Sequence, residues 1–97
     1  MSGDVDITTL RLRIEGSVQA VGFRYFAIGE ARRLGVTGWI RNRSDGTVEA
    51  LASGTTKAVE DFVAICMRGP PGARVTNIDL HQADPPTEPG FHRRPSV

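Results

Sequence analysis

The segment from Gly16 to Gly22 places two glycines just before an arginine, Arg24. Glycines let a backbone turn tightly, and a helix that begins at Phe23 offers unpaired N–H groups and the positive end of its dipole. A cation in a first helical turn is unfavourable by itself, because the helix dipole is positive there. It is well placed where an anion lies between the cation and the helix N-terminus. The pattern therefore predicts an anion site, with a purely structural glycine loop as the alternative.

A second polar residue, Asn42, is expected at the same rim of the fold. It ends a run rich in β-formers and is followed by Asp45 and Gly46, a strong signal for a hairpin turn. The first two predicted strands run in the same direction. The glycine loop, the helix N-terminus and the end of the second strand therefore share one rim. Arg24 and Asn42 are expected to face each other there, unless Asn42 is simply a turn residue.

Hydrophobic periodicity divides the chain into elements in the order β-α-β-β-α-β, with a short edge strand after them. Two helices with one apolar stripe each, packed on one face of an antiparallel sheet, form a ferredoxin-like α+β sandwich. Val75 is out of phase with Ile78 and Leu80, which predicts a bulge or a late start in the fourth strand. Strands are predicted over residues 9–15, 36–42, 47–52, 74–81 and 91–94. Helices are predicted over Phe23–Leu34 and between an N-cap at Thr55 or Thr56 and a stop at Gly69.

The composition narrows the class of protein. A chain of 97 residues with 39% hydrophobic and 24% charged residues is typical of one globular domain. Its net charge of +1 is too balanced to favour a nucleic-acid or membrane surface. The lone Cys66 excludes an internal disulfide, and no Cys/His cluster has metal-ligand spacing. The acidic N-terminus lacks a signal-like apolar segment, so we expect a cytoplasmic protein. A monomer is a separate expectation.

Two motifs resemble those of the acylphosphatase family. Residues 16–24, GSVQAVGFR, are similar to the family signature G-x-V-Q-G-V-G-F-R, and residues 38–49 resemble its second motif, G-W-V-x-N-x-x-D-G-x-V-E. Residues 68–75, RGPPGARV, are also similar to bacterial members. The likeness extends from Leu10 to about Leu80. It implies an acylphosphatase-like domain over residues 9–94, between a flexible N-terminus at 1–8 and a C-terminal tail at 95–97.

The resemblance implies an enzyme that hydrolyses the carboxyl–phosphate bond of acyl phosphates, with Arg24 binding the phosphate and Asn42 orienting water. The leaving group departs as a stable carboxylate, so the chemistry needs no general acid, metal or cofactor. The small-molecule substrate would compete with inorganic phosphate or sulfate. The guanidinium can bind two phosphate oxygens, and the remaining oxygens would meet the backbone N–H groups of Gln19, Ala20, Val21, Gly22, Phe23 and Arg24.

Ala20 departs from the signature, which usually has glycine at that position. Because the loop must aim several N–H groups at one point, we expect a negative φ at Ala20 and an active enzyme. The alternative function is a non-catalytic ferredoxin-like module that binds phosphate or RNA. The predicted strand over residues 47–52 has no aromatic side chain on which bases could stack, which counts against RNA. Arg41, Arg43, Arg93 and Arg94 could attract anions in general, but they are interpreted as part of a solvated face.

Overall fold

The computed structural model describes residues 6–97, so the first five residues of the expected flexible N-terminus lie outside the described part. Five strands and two helices alternate along this part of the chain in the predicted order. The elements are β1 (Ile7–Ser17), α1 (Phe23–Leu34), β2 (Thr37–Asn42), β3 (Val48–Thr55), α2 (Thr56–Arg68), β4 (Arg74–Gln82) and β5 (Phe91–Arg93).

The strands form one mixed sheet in the order β4-β1-β3-β2-β5. The pairs β1–β3, β1–β4 and β2–β3 are antiparallel, whereas β5 is parallel to β2. The ferredoxin-like α+β sandwich is confirmed, with one correction, since the sheet is not antiparallel throughout. The chain reverses after β4 and crosses to the opposite edge of the sheet, so β5 runs in the same direction as β1 and β2.

The first strand is longer than the sequence predicted and ends in an irregularity that shapes the loop after it. β1 begins two residues before the predicted boundary, because Ile7 and Thr8 pair with β3. At its other end Glu15 pairs with Asn77 and Gly16 with Val75, so β4 carries one extra residue there. The bulge predicted in the fourth strand is thereby confirmed. It increases the local twist at the point where β1 turns into the glycine loop.

Gly16 permits a close approach between β1 and β4. A Cβ atom at this position would lie 2.0 Å from the carbonyl oxygen of Arg74, and the backbone φ is +127°. Both facts exclude an L side chain without a shift of the backbone. The first glycine of the loop therefore fixes where the loop leaves the sheet.

The core lies between the helices and one face of the sheet. Its packing fixes the position of α1, which begins directly after the glycine loop. Phe23, Ala27 and Ala31 are the buried residues of α1, and the sheet supplies residues such as Leu12 and Ile40. The α2 helix buries Val59, Phe62, Ile65 and Cys66, and its N-cap is Thr55, whose hydroxyl accepts a hydrogen bond from the Ala58 N–H, as predicted. Neither helix in residues 6–97 is long and apolar enough to cross a membrane.

The residues after β5 continue along β2 and hold the end of that strand. The Arg94 N–H donates to the Ile40 carbonyl over 2.9 Å, and the Val97 N–H donates to the Asn42 carbonyl over 3.1 Å. On its other side Asn42 pairs with Val48 of β3. The backbone of Asn42 therefore has a neighbour on both sides, which limits where its side chain can point.

Candidate active site

The loop between β1 and α1 has a backbone suited to binding an anion. The φ angle is 61° at Ala20 and 77° at Gly22. It is negative at Gln19, which precedes Ala20, and at Val21, which lies between the two. Backbone that alternates between right- and left-handed conformations turns successive N–H groups toward one side and forms a concave nest for anions. Alternating signs of φ such as these are typical of an anion-binding nest.

The expected negative φ at Ala20 is wrong. At +61° this residue is the one non-glycine residue with positive φ between positions 6 and 97. The left-handed conformation costs an L-residue about 1–2 kcal/mol, chiefly because Cβ crowds the following carbonyl. A negative φ was expected because a stiff loop would keep its N–H groups aimed at one point. The loop instead alternates in the sign of φ, and the exposed Ala20 adopts the strained positive value.

The N-terminus of α1 adds further donors to the loop. The helix begins after Gly22, whose carbonyl accepts the N–H of Phe26 over 3.0 Å, and no side chain caps it. Its first turn contains no acidic residue. Within residues 6–97, no protein group accepts a hydrogen bond from the N–H groups of residues 19–25. These donors and the positive end of the helix dipole favour an anion at this position.

Arg24 and Asn42, which the sequence predicted to face each other, line the same small cavity of about 120 Å³. The Oδ1 atom of Asn42 is buried and accepts no hydrogen bond from any group of residues 6–97. A buried carbonyl oxygen without a donor is costly, so it marks a position where a ligand or water is expected to donate. The other residues that line the cavity are Val18, Ala20, Gly22, Phe23, Tyr25 and Arg93.

Arg24 is held in a half-buried position beside a second cation. Burial lowers the pKa of its guanidinium, and the charge of Arg93 lowers it further. An arginine nevertheless stays protonated at neutral pH. Neither Arg24 nor Arg93 forms an ion pair with a carboxylate of residues 6–97. The cavity therefore has a net positive potential without a protein anion to balance it.

The side chain of Gln19 fixes the loop to the β2–β3 hairpin. Its Nε2 donates to the carbonyl oxygens of Arg43 and Thr47, over 2.8 and 2.9 Å. Arg43 follows Asn42 directly, so this pair of bonds sets the distance between the loop and Asn42. The sequence predicted a role only for the backbone N–H of Gln19. The signal it offered was a long amide in a loop otherwise composed of small and apolar residues.

The turn of the hairpin is ordered by Asp45. Its Oδ1 accepts hydrogen bonds from the Thr47 N–H and hydroxyl, over 3.0 and 2.6 Å, and its Oδ2 pairs with Arg13 at 3.1 Å. The bonds from Thr47, followed by that from Arg13, lower the pKa of Asp45 to about 2. The prediction that Asp45 belongs to the hairpin turn is confirmed. The carboxylate keeps Thr47 in the position from which its carbonyl binds Gln19.

A larger cleft of about 320 Å³ lies on the opposite face of the sheet. Unlike the cavity of Arg24 and Asn42, it contains carboxylates as well as arginines. Its residues include Arg11, Arg13 and Arg43. The buried Glu49 pairs with Arg43 at 2.9 Å and lies 3.9 Å from Arg11, while Asp45 pairs with Arg13. These carboxylates already satisfy the arginines, so the cleft is less suited to an anion. Within residues 6–97, no group of three metal-ligating side chains is close enough to hold a metal ion.

Comparison with known proteins matches almost the whole chain to one family. The sequence model of the acylphosphatase family matches residues 10–93. The acylphosphatase of Acidiphilium cryptum is 53% identical over 83 residues, which cover 86% of this chain and 91% of that protein. The chain belongs to the acylphosphatase family. It is an enzyme of that family, and acyl phosphates are its substrate class.

Solved structures of acylphosphatases share the fold. The acylphosphatase from Coxiella burnetii superposes with a TM-score of 0.86 at 30% identity, covering 92% of this chain and 94% of that one. The enzyme from Bacillus subtilis gives a TM-score of 0.84 at 36% identity, covering 92% and 99% of the two chains. The alternative of a non-catalytic binding module is therefore not favoured. The loop, Arg24 and Asn42 all lie inside the region that matches the acylphosphatase model.

Proposed function

We propose that Arg24 and Asn42 are the two catalytic residues of this acylphosphatase, and that the glycine loop binds the transferred phosphoryl group. The supporting observation is the cavity that Arg24 and Asn42 both line, together with the buried Oδ1 of Asn42, which has no hydrogen-bond donor in residues 6–97. The proposed backbone donors are the N–H groups of Gln19, Ala20, Val21, Gly22, Phe23 and Arg24.

Arg24 binds and polarises the phosphoryl group. Its planar guanidinium donates two parallel hydrogen bonds to two oxygens of a phosphate, which a lysine cannot reproduce. The loop N–H groups meet the other oxygens and offset the charge that they carry in the transition state. Because these donors are fixed before the substrate arrives, little reorganisation is needed when the reaction begins.

Asn42 positions the attacking water. Its Oδ1 accepts a hydrogen bond from the water and directs a lone pair of the water oxygen toward phosphorus. The new P–O bond forms on the side opposite the bond to the acyl oxygen, which breaks and leaves its electron pair on the carboxylate. The protons of the water end on the phosphate product and in solvent. The leaving carboxylate is stable as an anion, so the step needs neither a general acid nor a metal.

The proposed enzyme acts as a monomer in the cytoplasm, on free small molecules rather than on nucleic acid or membranes. A buried, unpaired Cys66 is compatible with a reducing compartment. Inorganic phosphate and sulfate compete with the substrate, because they present the same tetrahedral arrangement of oxygens to the same donors.

The test is the hydrolysis of benzoyl phosphate in the presence of a chelator. We expect the wild-type protein to be active and Arg24→Ala to lose at least about 100-fold in kcat/KM. Arg24→Lys should not restore the rate, since it lacks the planar fork. The matched control is Arg33→Ala, which removes an exposed arginine from the other end of α1. Turnover of Arg24→Ala within a few-fold of the control would remove Arg24 from the mechanism.

A further inference from the structure

Arg93 lies on the helix-covered side of the sheet, although its sequence context suggested a solvated face. In the parallel pair of β2 and β5, Arg93 is the partner of Ile40, which is fully buried in the core. Phe91, two residues earlier on β5, is also buried and contacts Phe62. Alternate residues of a strand point to the same face. The side chain of Arg93 is thus directed toward the N-terminal end of α1.

The same alternation separates Arg93 from its neighbour Arg94. The Arg94 guanidinium lies over the Trp39 ring, 4.8 Å from its centroid, and Arg41 lies at the same distance from that ring. Arg94 therefore has an interaction partner on the sheet face opposite to the core. Arg93, by contrast, lines the cavity that contains Arg24 and Asn42. A neighbouring cleft of about 370 Å³ is bounded by Arg24 and Arg93 as well.

The position of β5 is fixed by α1. The Nη2 atom of Arg32, in the last turn of the helix, donates to the Phe91 carbonyl over 3.0 Å. Together with the pairing of β5 to β2, this bond anchors the edge strand both to α1 and to the rest of the sheet. Arg93 is thus presented to the cavity by a strand that is anchored on two sides.

Two arginines that line one cavity without a carboxylate partner repel each other. Arg93 is close enough for its charge to lower the pKa of Arg24. A phosphoryl group carries a charge of about −1.5 to −2 at neutral pH, whereas Arg24 supplies a single positive charge. The helix terminus adds only about half a charge more. A doubly charged anion would relieve the repulsion and balance the charge of the cavity.

We propose that Arg93 is a second substrate-binding arginine, which acts with Arg24 to select the dianionic form of the phosphoryl group. The proposal rests on the function proposed for this site. The half-buried Arg24 binds the phosphoryl group inside the cavity. Arg93 is exposed at the rim and binds the same group from the edge strand. The selection is by charge, since both arginines can bind a tetrahedral anion but a monoanion needs only one of them.

The experiment compares two tetrahedral anions of different charge as competitive inhibitors of benzoyl phosphate hydrolysis at constant pH and ionic strength. Sulfate carries two charges and perchlorate one. We expect Arg93→Gln to raise the inhibition constant of sulfate about tenfold, and that of perchlorate by less than about threefold. Arg93→Lys, which keeps the charge, should restore sulfate binding to within about threefold of the wild type.

Two controls separate the outcomes. Arg33→Gln removes one positive charge at the far end of α1 and should leave both inhibition constants unchanged, which accounts for any effect of net charge. Arg24→Ala should weaken both anions, and the function proposed for the site fails if it does not. If Arg24→Ala weakens both anions while Arg93→Gln changes neither, or changes both equally, the proposal for Arg93 alone is wrong.

Discussion

Ala20 has a backbone conformation that L-residues rarely adopt. Its φ of +61° is the left-handed value, in a loop where Gly22 takes the same sign without cost. The conformation persists because the loop is fixed at both ends, by the close approach at Gly16 and by the start of α1. The strain is stored at the proposed phosphate site, a common location for such residues.

Replacing Ala20 with glycine should therefore stabilise the protein. We expect Ala20→Gly to raise the free energy of unfolding by about 1 kcal/mol, since relief of left-handed strain exceeds the entropy that glycine adds to the unfolded chain. For a domain of this size, that corresponds to a rise in Tm of about 4–8 °C. The control is Ala64→Gly at an exposed position inside α2, which should lower stability by about 0.5–1 kcal/mol. A loss of stability in Ala20→Gly would contradict the strain.

At the scale of the elements, the site depends on how the loop and the hairpin are joined. Gln19 reaches from the loop to two carbonyl oxygens of the hairpin, those of Arg43 and Thr47. Each of those carbonyls also accepts a backbone N–H, from Gly46 and Arg43 respectively. The two bonds of Gln19 thus add a connection between elements to a hairpin that is already paired within itself.

Loss of this connection should affect stability and catalysis together. We expect Gln19→Met to lower the free energy of unfolding by about 1–3 kcal/mol, for two hydrogen bonds. We also expect kcat/KM for benzoyl phosphate to fall by about 10- to 100-fold, because the donors and Asn42 lose their relative alignment. Gln82→Met, at the exposed end of β4, is the matched control. Equal behaviour of the two variants in urea unfolding and in turnover would show that Gln19 does not position the loop.

Local patterns predicted the elements well, and contacts between distant segments account for what they missed. Both bounds of α1 follow from its apolar stripe and from Gly35, and the cap at Thr55 follows from residue type alone. By contrast, the sign of φ at Ala20 depends on how the loop leaves the sheet beside Arg74. The direction of Arg93 depends on a parallel pairing with a strand about 50 residues earlier, which no local periodicity encodes.

At the scale of the whole molecule, the core isolates its single cysteine from solvent. Cys66 on α2 is fully buried, and burial followed by the charge of Glu30 raises the pKa of its thiol to about 12. The reactive thiolate is therefore suppressed in the folded state. Because the folded-state pKa exceeds the ordinary thiol value of 9.0, the protonated thiol contributes stability below pH 9, and that contribution is lost as the pH rises toward 12.

Cys66 should accordingly report on unfolding of the whole domain. At pH 8 we expect a thiol reagent such as DTNB to label the native protein far more slowly than the urea-unfolded chain. The rate should rise with urea in parallel with the loss of circular dichroism, since the core opens cooperatively. Labelling of the native protein at the rate of the unfolded chain would mean that α2 opens without the rest of the fold.

The most direct test of the proposed mechanism is the effect of Asn42→Ala on turnover and on phosphate affinity in the same assay. If Arg24 and the loop bind the phosphoryl group while Asn42 positions water, kcat for benzoyl phosphate should fall by at least about 100-fold. The inhibition constant of inorganic phosphate should stay within about threefold of the wild type. Asn77→Ala, at an exposed position of β4, should change neither quantity. Near-normal turnover in Asn42→Ala, or a loss of phosphate binding as large as the loss of rate, would contradict the division of roles between Arg24 and Asn42.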